Sequence, residues 1–168
     1  MHLPHLHTAQ AMAEQALTLS NPNPRVGCVL SDANGRVIGQ GHTQQAGGPH
    51  AEVMALRDAQ QRGMHIKGAT AYVTLEPCSM CSGAMLHARL DRVVYGAADP
   101  RTGAAGSVVD VLGHAQLNHQ TQVTDGVLAA ECGQLLRDFF KPLRSNTNPL
   151  REDALRTPST CFEHLPDY

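Results

Sequence analysis

Two short clusters, Pro49-His50-Ala51-Glu52 and Pro77-Cys78-Ser79-Met80-Cys81, restrict this chain more than any other feature in it. One imidazole and two thiolates fill three corners of a tetrahedral zinc site and leave the fourth for water, the donor set of a catalytic ion rather than a structural one. For both clusters to reach one ion, the fold must bring residue 50 together with residues 78 and 81. The local pattern says how. Residues 50–62, HAEVMALRDAQQR, place Val53, Leu56 and Ala59 at helical intervals, so His50 and Glu52 fall in the first turn of an amphipathic helix. The strand-like ATAYVTL then delivers Cys78 and Cys81 to the start of a second helix, SMCSGAMLHARL. Two helix N-termini would converge on the metal, and their positive dipole ends favour thiolate and hydroxide.

Glu52, two residues after the histidine, is better suited to shuttling protons than to completing the coordination shell. A lone Cys-x-x-Cys is often a redox pair and a lone His-x-Glu is usually incidental. Here both occur, each preceded by proline and each opening a helix. A structural zinc would also show a fourth Cys or His at a short ligand spacing, and none stands there.

Length and charge narrow the rest. A chain of 168 residues, 42% hydrophobic, is expected to form one domain with a proper core, at residues 1–144, followed by a tail at 145–168. A formal charge of −2 gives no overall basic footprint, so a nucleic-acid partner would have to be held by a local patch. Five cysteines, two of them assigned to a metal, argue for a reducing compartment. The histidine-rich start does not read as a signal peptide, and no apolar run approaches the ~18 residues of a membrane span. A cytoplasmic protein without a membrane partner is expected.

Taken in order, LHTAQAMAEQALTL (6–19) reads as an amphipathic helix, VGCVL (26–30) as a buried strand, DANGR as a turn and RVIGQGH as its partner strand. DRVVYGAADP is a strand with a turn at Asp99-Pro100. RTGAAGSVVDVL is expected to be a loop into a short helix, NHQTQVTDG a short strand, and VLAAECGQLLRDFFKPLR a closing helix with Cys132 in its core face. The alternation predicts an α/β fold with a mixed sheet and helices on its faces.

These motifs are similar to those of the cytidine deaminase-like zinc hydrolase superfamily, over about residues 8 to 144, and the resemblance implies its three-layer α/β/α fold with a mixed five-stranded sheet. The two halves resemble different branches. NPNPRVGCVL, GQGHTQQAGGPHAEVMAL and GATAYVTLEPC resemble the pyrimidine deaminase domain of the riboflavin pathway. MCSGAMLHARLDRVVYGAADPRTGAAGS, LNHQTQV and GVLAAECGQLLRDFF resemble the bacterial tRNA adenosine deaminase that makes inosine at the wobble position. The sequence reads as a mosaic whose seam crosses the site. The close Pro-Cys-x-Met-Cys replaces the phosphate-holding Thr-Pro-Pro segment of the pyrimidine branch, and Thr43 stands where the tRNA branch carries Asn.

The resemblance implies one zinc per subunit, held by His50, Cys78 and Cys81, with Glu52 as the catalytic proton carrier in a hydrolytic deamination. Asn23, Val26, Thr43, Ala51, Pro77, Asp99 and Arg101 are the implied substrate-binding residues, the backbone N–H groups of Ala51 and Cys78 among them. Phe140, Lys141 and Arg144 are the implied nucleic-acid contacts, and a homodimer is the implied assembly. Three functions follow from this pattern. The first is an RNA adenosine deaminase acting on the tRNA anticodon loop, and the second is a deaminase of the riboflavin-pathway aminopyrimidine ribotide. The third is a zinc-stabilised scaffold without useful catalysis, against which the intact Glu52 speaks.

Overall fold

The computed structural model describes residues 2–16, 20 and 22–144, with the side chains of 142–144 left aside; the expected tail at 145–168 lies outside these residues. The elements run α1 (Leu3–Glu14), β1 (Gly27–Ser31), β2 (Val37–His42), α2 (Ala51–Gln61), β3 (Thr70–Leu75), α3 (Ser79–His87), β4 (Arg92–Ala97), β5 (Gln122–Thr124) and α4 (Ala129–Arg144). The strands form a five-stranded sheet in the order β2-β1-β3-β4-β5, with β1 antiparallel to both neighbours and β3, β4 and β5 mutually parallel. This is the expected mixed α/β architecture.

The two-residue period of the strands sorts their side chains onto opposite faces. Cys28, Leu30, Ala71, Val73, Val93 and Tyr95 pack with residues of α2 and α3 in the main core. Their alternates Val29, Tyr72 and Val94 pack instead with Leu6, Ala9 and Met12 of α1. Cys132 of α4 is fully buried and accepts a hydrogen bond from Gln10 of α1, which puts α4 on that same second face. Its expected core role is thus the observed one.

The face by which α2 meets the sheet overlaps the expected one, with Ala59 buried and Leu56 packed against the main core, but it is centred on smaller residues. Ala51, Glu52, Ala55 and Ala59 are buried, whereas Val53 and Leu56 are only partly covered. Close approach is the reason. A Cβ at Gly41 would lie 2.6 Å from the Ala55 nitrogen and 2.7 Å from the Ala51 carbonyl oxygen, so the helix rests directly on the strand backbone. Only a ridge of small residues facing glycines permits this.

The short helix expected after Arg101 is also absent among the described residues. Residues 101–121 form turns with isolated bridges, Cys78 to Gly103 and Ala105 to Asp110. The backbone N–H groups of Asp99, Ala105 and Ser107 donate to the Glu76 carboxylate instead of to carbonyls one helical turn back. The closing helix begins at Ala129, because Leu128 adopts a left-handed backbone with φ 56°.

The sheet register gathers the chain ends that matter. Val26 precedes β1, Thr43 follows β2, Glu76 follows β3 and Asp99 lies just beyond β4; with β1 running against the others, all four emerge at one edge of the sheet. Crevices outside the carboxyl ends of strands in open α/β sheets are the usual place for ligands.

Candidate active site

His50 and Cys78 occupy equivalent positions, each the residue immediately before a helix. Their backbones are extended, with φ −74° and ψ 165° for His50 and φ −72° and ψ 172° for Cys78. The prolines at 49 and 77 keep Gly48 and Glu76, the residues before them, out of the helical region, so neither helix can extend back past its proline. Cys81 is the third residue of α3 and fully buried. The ligand atoms of His50, Cys78 and Cys81 all lie within 4.8 Å of one another.

The spacing of these atoms fits zinc. Bond lengths of about 2.3 Å to sulfur and 2.0–2.1 Å to nitrogen at tetrahedral angles set an N···S edge of about 3.6 Å. The His50 Nδ1 lies 3.7 Å from the Cys78 Sγ and 3.4 Å from the Cys81 Sγ. Two thiols and an imidazole converging at this distance form a zinc site, as the sequence implied.

Their proton affinities are strongly interdependent. Hydrogen bonds from Cys81 and then His50 push the Cys78 thiol down to about 4. The same contact with Cys78, followed by burial, raises Cys81. The bond to Cys78 raises His50 against the opposing effect of burial. A cation placed among them would favour thiolate at both cysteines. Glu52 is buried, and burial raises its carboxyl above the ordinary value, with the charge on Cys78 adding to the effect. Its own backbone N–H and Cys81 partly offset this. A buried carboxyl with raised affinity for a proton is suited to accepting and returning one.

Beside these groups opens a cavity of about 140 Å³, lined by His50, Glu52, Cys78, Asn23, Val26, Thr43 and Asp99, among others. The fold thus brings four of the seven implied substrate residues to the cavity wall. Thr43 serves the frame too, because its hydroxyl accepts from the Val26 N–H at 3.1 Å. Ala51 and Pro77 are buried directly behind the wall, and Pro77 accepts from the Ala104 N–H at 2.8 Å.

Arg101 is exposed and does not line the cavity; its backbone N–H donates to Asp99. Of the implied nucleic-acid contacts, Lys141 is exposed, Phe140 is half-buried against Phe139, and the Arg144 side chain lies outside what is described. Phe139 is buried, with the Arg25 guanidinium 5.0 Å from its ring centre, so the end of α4 is fastened to the Asn23–Arg25 loop.

Pro24, Leu75, Glu76 and Thr102 also line the cavity. Glu76 is the notable omission from the sequence reading. It is 3% exposed, and its oxygens accept from the N–H groups of Asp99, Ala105 and Ser107 at 2.9, 3.1 and 3.0 Å and from the Ser107 hydroxyl. Burial alone would raise its carboxyl, but the Ser107 hydroxyl and the three backbone donors outweigh that and hold it below the ordinary value. Its signal was a glutamate at the end of a largely buried strand, at a position where an unpaired charge is not tolerated.

Residues 2–97 match the cytidine and deoxycytidylate deaminase zinc-binding region. A tRNA-specific adenosine deaminase of Bacillus subtilis is 36% identical over 154 residues, covering 88% of this chain and 95% of its own length. Among solved structures, a tRNA:A34 deaminase studied for A-to-I editing at the wobble position of transfer RNA superimposes with a TM-score of 0.69 at 31% identity, over 80% of this chain and 99% of that one. A diaminohydroxyphosphoribosylaminopyrimidine deaminase/5-amino-6-(5-phosphoribosylamino)uracil reductase of Thermotoga maritima gives a TM-score of 0.70 at 33% identity, over 83% of this chain. The present chain spans 40% of that bifunctional protein.

Proposed function

The chain belongs to the cytidine and deoxycytidylate deaminase zinc-binding family and is a zinc-dependent hydrolytic deaminase; from that premise we propose that its substrate is adenosine in RNA, at the wobble position of a tRNA anticodon loop, converted to inosine. The observation that carries this reading is the lining of the cavity. Among the described residues its charged side chains other than His50 and Cys78 are the acids Glu52, Glu76 and Asp99, and neither Lys nor Arg reaches it. With this lining only the uncharged base enters the cavity, whose volume is about 140 Å³. Sugar and phosphates stay outside, as they do when a nucleotide is splayed from a loop. A free ribotide phosphate would find no cation within.

Zinc at this site supplies a Lewis acid that makes water acidic enough to attack at neutral pH. Glu52 relays the two protons of the water in turn, the first to the ring nitrogen and the second, from the added hydroxyl, to the departing amine, so that water is consumed and ammonia released. The N–H groups of Ala51 and Cys78, fixed at helix starts, polarise the base. Asn23, Val26, Thr43 and Asp99 hold it, with Pro77 supporting the wall. Arg101, Phe140, Lys141 and Arg144 meet the flanking nucleotides.

The segment NPNPRVGCVL supports a pyrimidine-branch N-terminal half, and the likeness of the chain as a whole to the bifunctional pyrimidine deaminase makes the riboflavin-pathway ribotide the second substrate to test. A homodimer is supported by exposed Met80, Val108, Val109 and Leu117. Residues 1–144 form the deaminase domain and 145–168 a C-terminal tail. The protein works in the cytoplasm, consistent with there being no helix among the described residues long and apolar enough to cross a membrane.

Ammonia release is to be measured from an anticodon stem-loop and from the aminopyrimidine ribotide, with Glu52→Ala as control. Release from the stem-loop that the control abolishes is expected. Release from the ribotide alone would refute the RNA assignment, and silence on both would favour a non-catalytic scaffold.

A further inference from the structure

We propose that Glu76 is a positioning residue whose carboxylate grips the Asp99–Ser107 loop and so sets the wall against which the substrate base is held. The inference rests on the deaminase reading above. Its ground is the way one buried carboxylate joins two parts of the site. One oxygen accepts from the Asp99 N–H and the Ser107 hydroxyl, the other from the N–H groups of Ala105 and Ser107. Every one of these donors lies in a segment without regular secondary structure, which has no ladder of its own to hold it.

The same segment is sewn to the metal-bearing turn. The Ala104 N–H donates to the Pro77 carbonyl, and Gly103 bridges to Cys78. A Cβ at Gly103 would come within 2.4 Å of the Glu76 carboxyl, so the loop passes directly over that carboxylate. What the loop carries into the cavity is Asp99 and Thr102. Asp99 is itself fixed, its carboxylate accepting from the Arg101 and Thr102 N–H groups at 2.9 and 3.2 Å and from the Thr102 hydroxyl at 2.6 Å. Glu76 thus determines where a second acidic group faces the base, without itself moving a proton.

The test uses zinc-loaded full-length wild-type protein, Glu76→Gln and Ser107→Ala. Glutamine keeps one acceptor oxygen but turns an amide donor toward N–H donors, while Ser107→Ala removes one bond at an exposed residue and leaves no cavity. For Glu76→Gln, KM for the anticodon stem-loop is expected to rise at least tenfold, with kcat within threefold and zinc unchanged. The amides of Asp99, Ala105 and Ser107 should exchange faster while those of β3 keep their protection. Ser107→Ala should shift the same quantities in the same direction, and it decides alone if Glu76→Gln does not fold. Unchanged KM with unchanged loop exchange would overturn the proposal, as would loss of zinc and kcat at constant KM. If wild type is silent on RNA, the substrate reading fails, and loop exchange, which needs no substrate, still decides whether Glu76 is the clamp.

Discussion

Gly41→Ala should damage activity far more than its size suggests, because Gly41 is where α2 rests on the sheet. The new Cβ would lie 2.6 Å from both the Ala55 nitrogen and the Met54 Cβ and 2.7 Å from the Ala51 oxygen. Ordinary contact begins near 3.4 Å, so the first turn of α2 must retreat by about 0.8 Å. Two of those contacts are backbone, which no rotamer change relieves. Overpacking of this kind costs about 1–3 kcal/mol, a fall in Tm of about 2–12 °C for a chain of this size. The turn that retreats carries His50 and Glu52, whereas Cys78 and Cys81 stay with α3. A displacement near 1 Å at a reacting group costs about 100-fold in rate. Gly83 in α3 is the control: a Cβ there meets nothing within 4 Å, so Gly83→Ala should stabilise by about 0.5–1 kcal/mol. Calorimetry, zinc content and ammonia release on both variants check the argument. A Gly41→Ala protein within 1 °C and twofold of wild type would refute it.

Glu52→Gln keeps the shape of the side chain but cannot take a proton, and should lower kcat by about 10²–10⁴-fold with zinc retained, read by steady-state kinetics beside elemental analysis. Chelation should abolish activity and lower Tm, since zinc at 100 times its dissociation constant contributes about 2.7 kcal/mol to the folded state. Zinc added back should restore both, and a chelated protein with full activity would contradict the assigned site. The Asp99 carboxyl is held below its ordinary value of 3.8, because bonds from the Thr102 hydroxyl and the Arg101 and Thr102 N–H groups outweigh the effect of burial. Its contribution to stability is therefore complete above that value and lost as pH falls through the lower folded one. The acid limb of a Tm-against-pH curve should be shallower in Asp99→Asn. Truncation after Arg144 should leave ammonia release within about twofold, because the assigned zinc ligands, Glu52 and the cavity lining all precede it; a larger loss would assign residues 145–168 a role.

The strands and helices were legible because their signals are local. VGCVL is an apolar run, ATAYVTL and DRVVYGA are rich in β-branched residues and tyrosine, and each is a strand within a residue or two of its expected ends. The metal ligands were legible for a similar reason: zinc demands particular donor atoms, and those donors sit at helix starts marked by proline. Two readings failed, the second only in part, where a distant group decided the outcome. The helix expected after Arg101 is replaced by turns because Glu76, at least 23 residues earlier, takes its N–H groups. In α2, Val53, Leu56 and Ala59 were expected on the apolar face; Ala59 is buried and Leu56 packs against the main core, but Ala51 and Ala55 replace Val53 because glycines of β2 let the helix approach to backbone contact.

The amino-acid sequence alone determined the donor set, the acid two residues from the histidine and the layered α/β class, since each follows from residue identity and short-range periodicity. Only the tertiary structure decided which side chains wall the cavity, where α2 touches the sheet and what Glu76 holds in place. Those depend on contacts between segments far apart in the chain, and such contacts exist only once the sheet has set the register that brings Val26, Thr43, Glu76 and Asp99 to one edge.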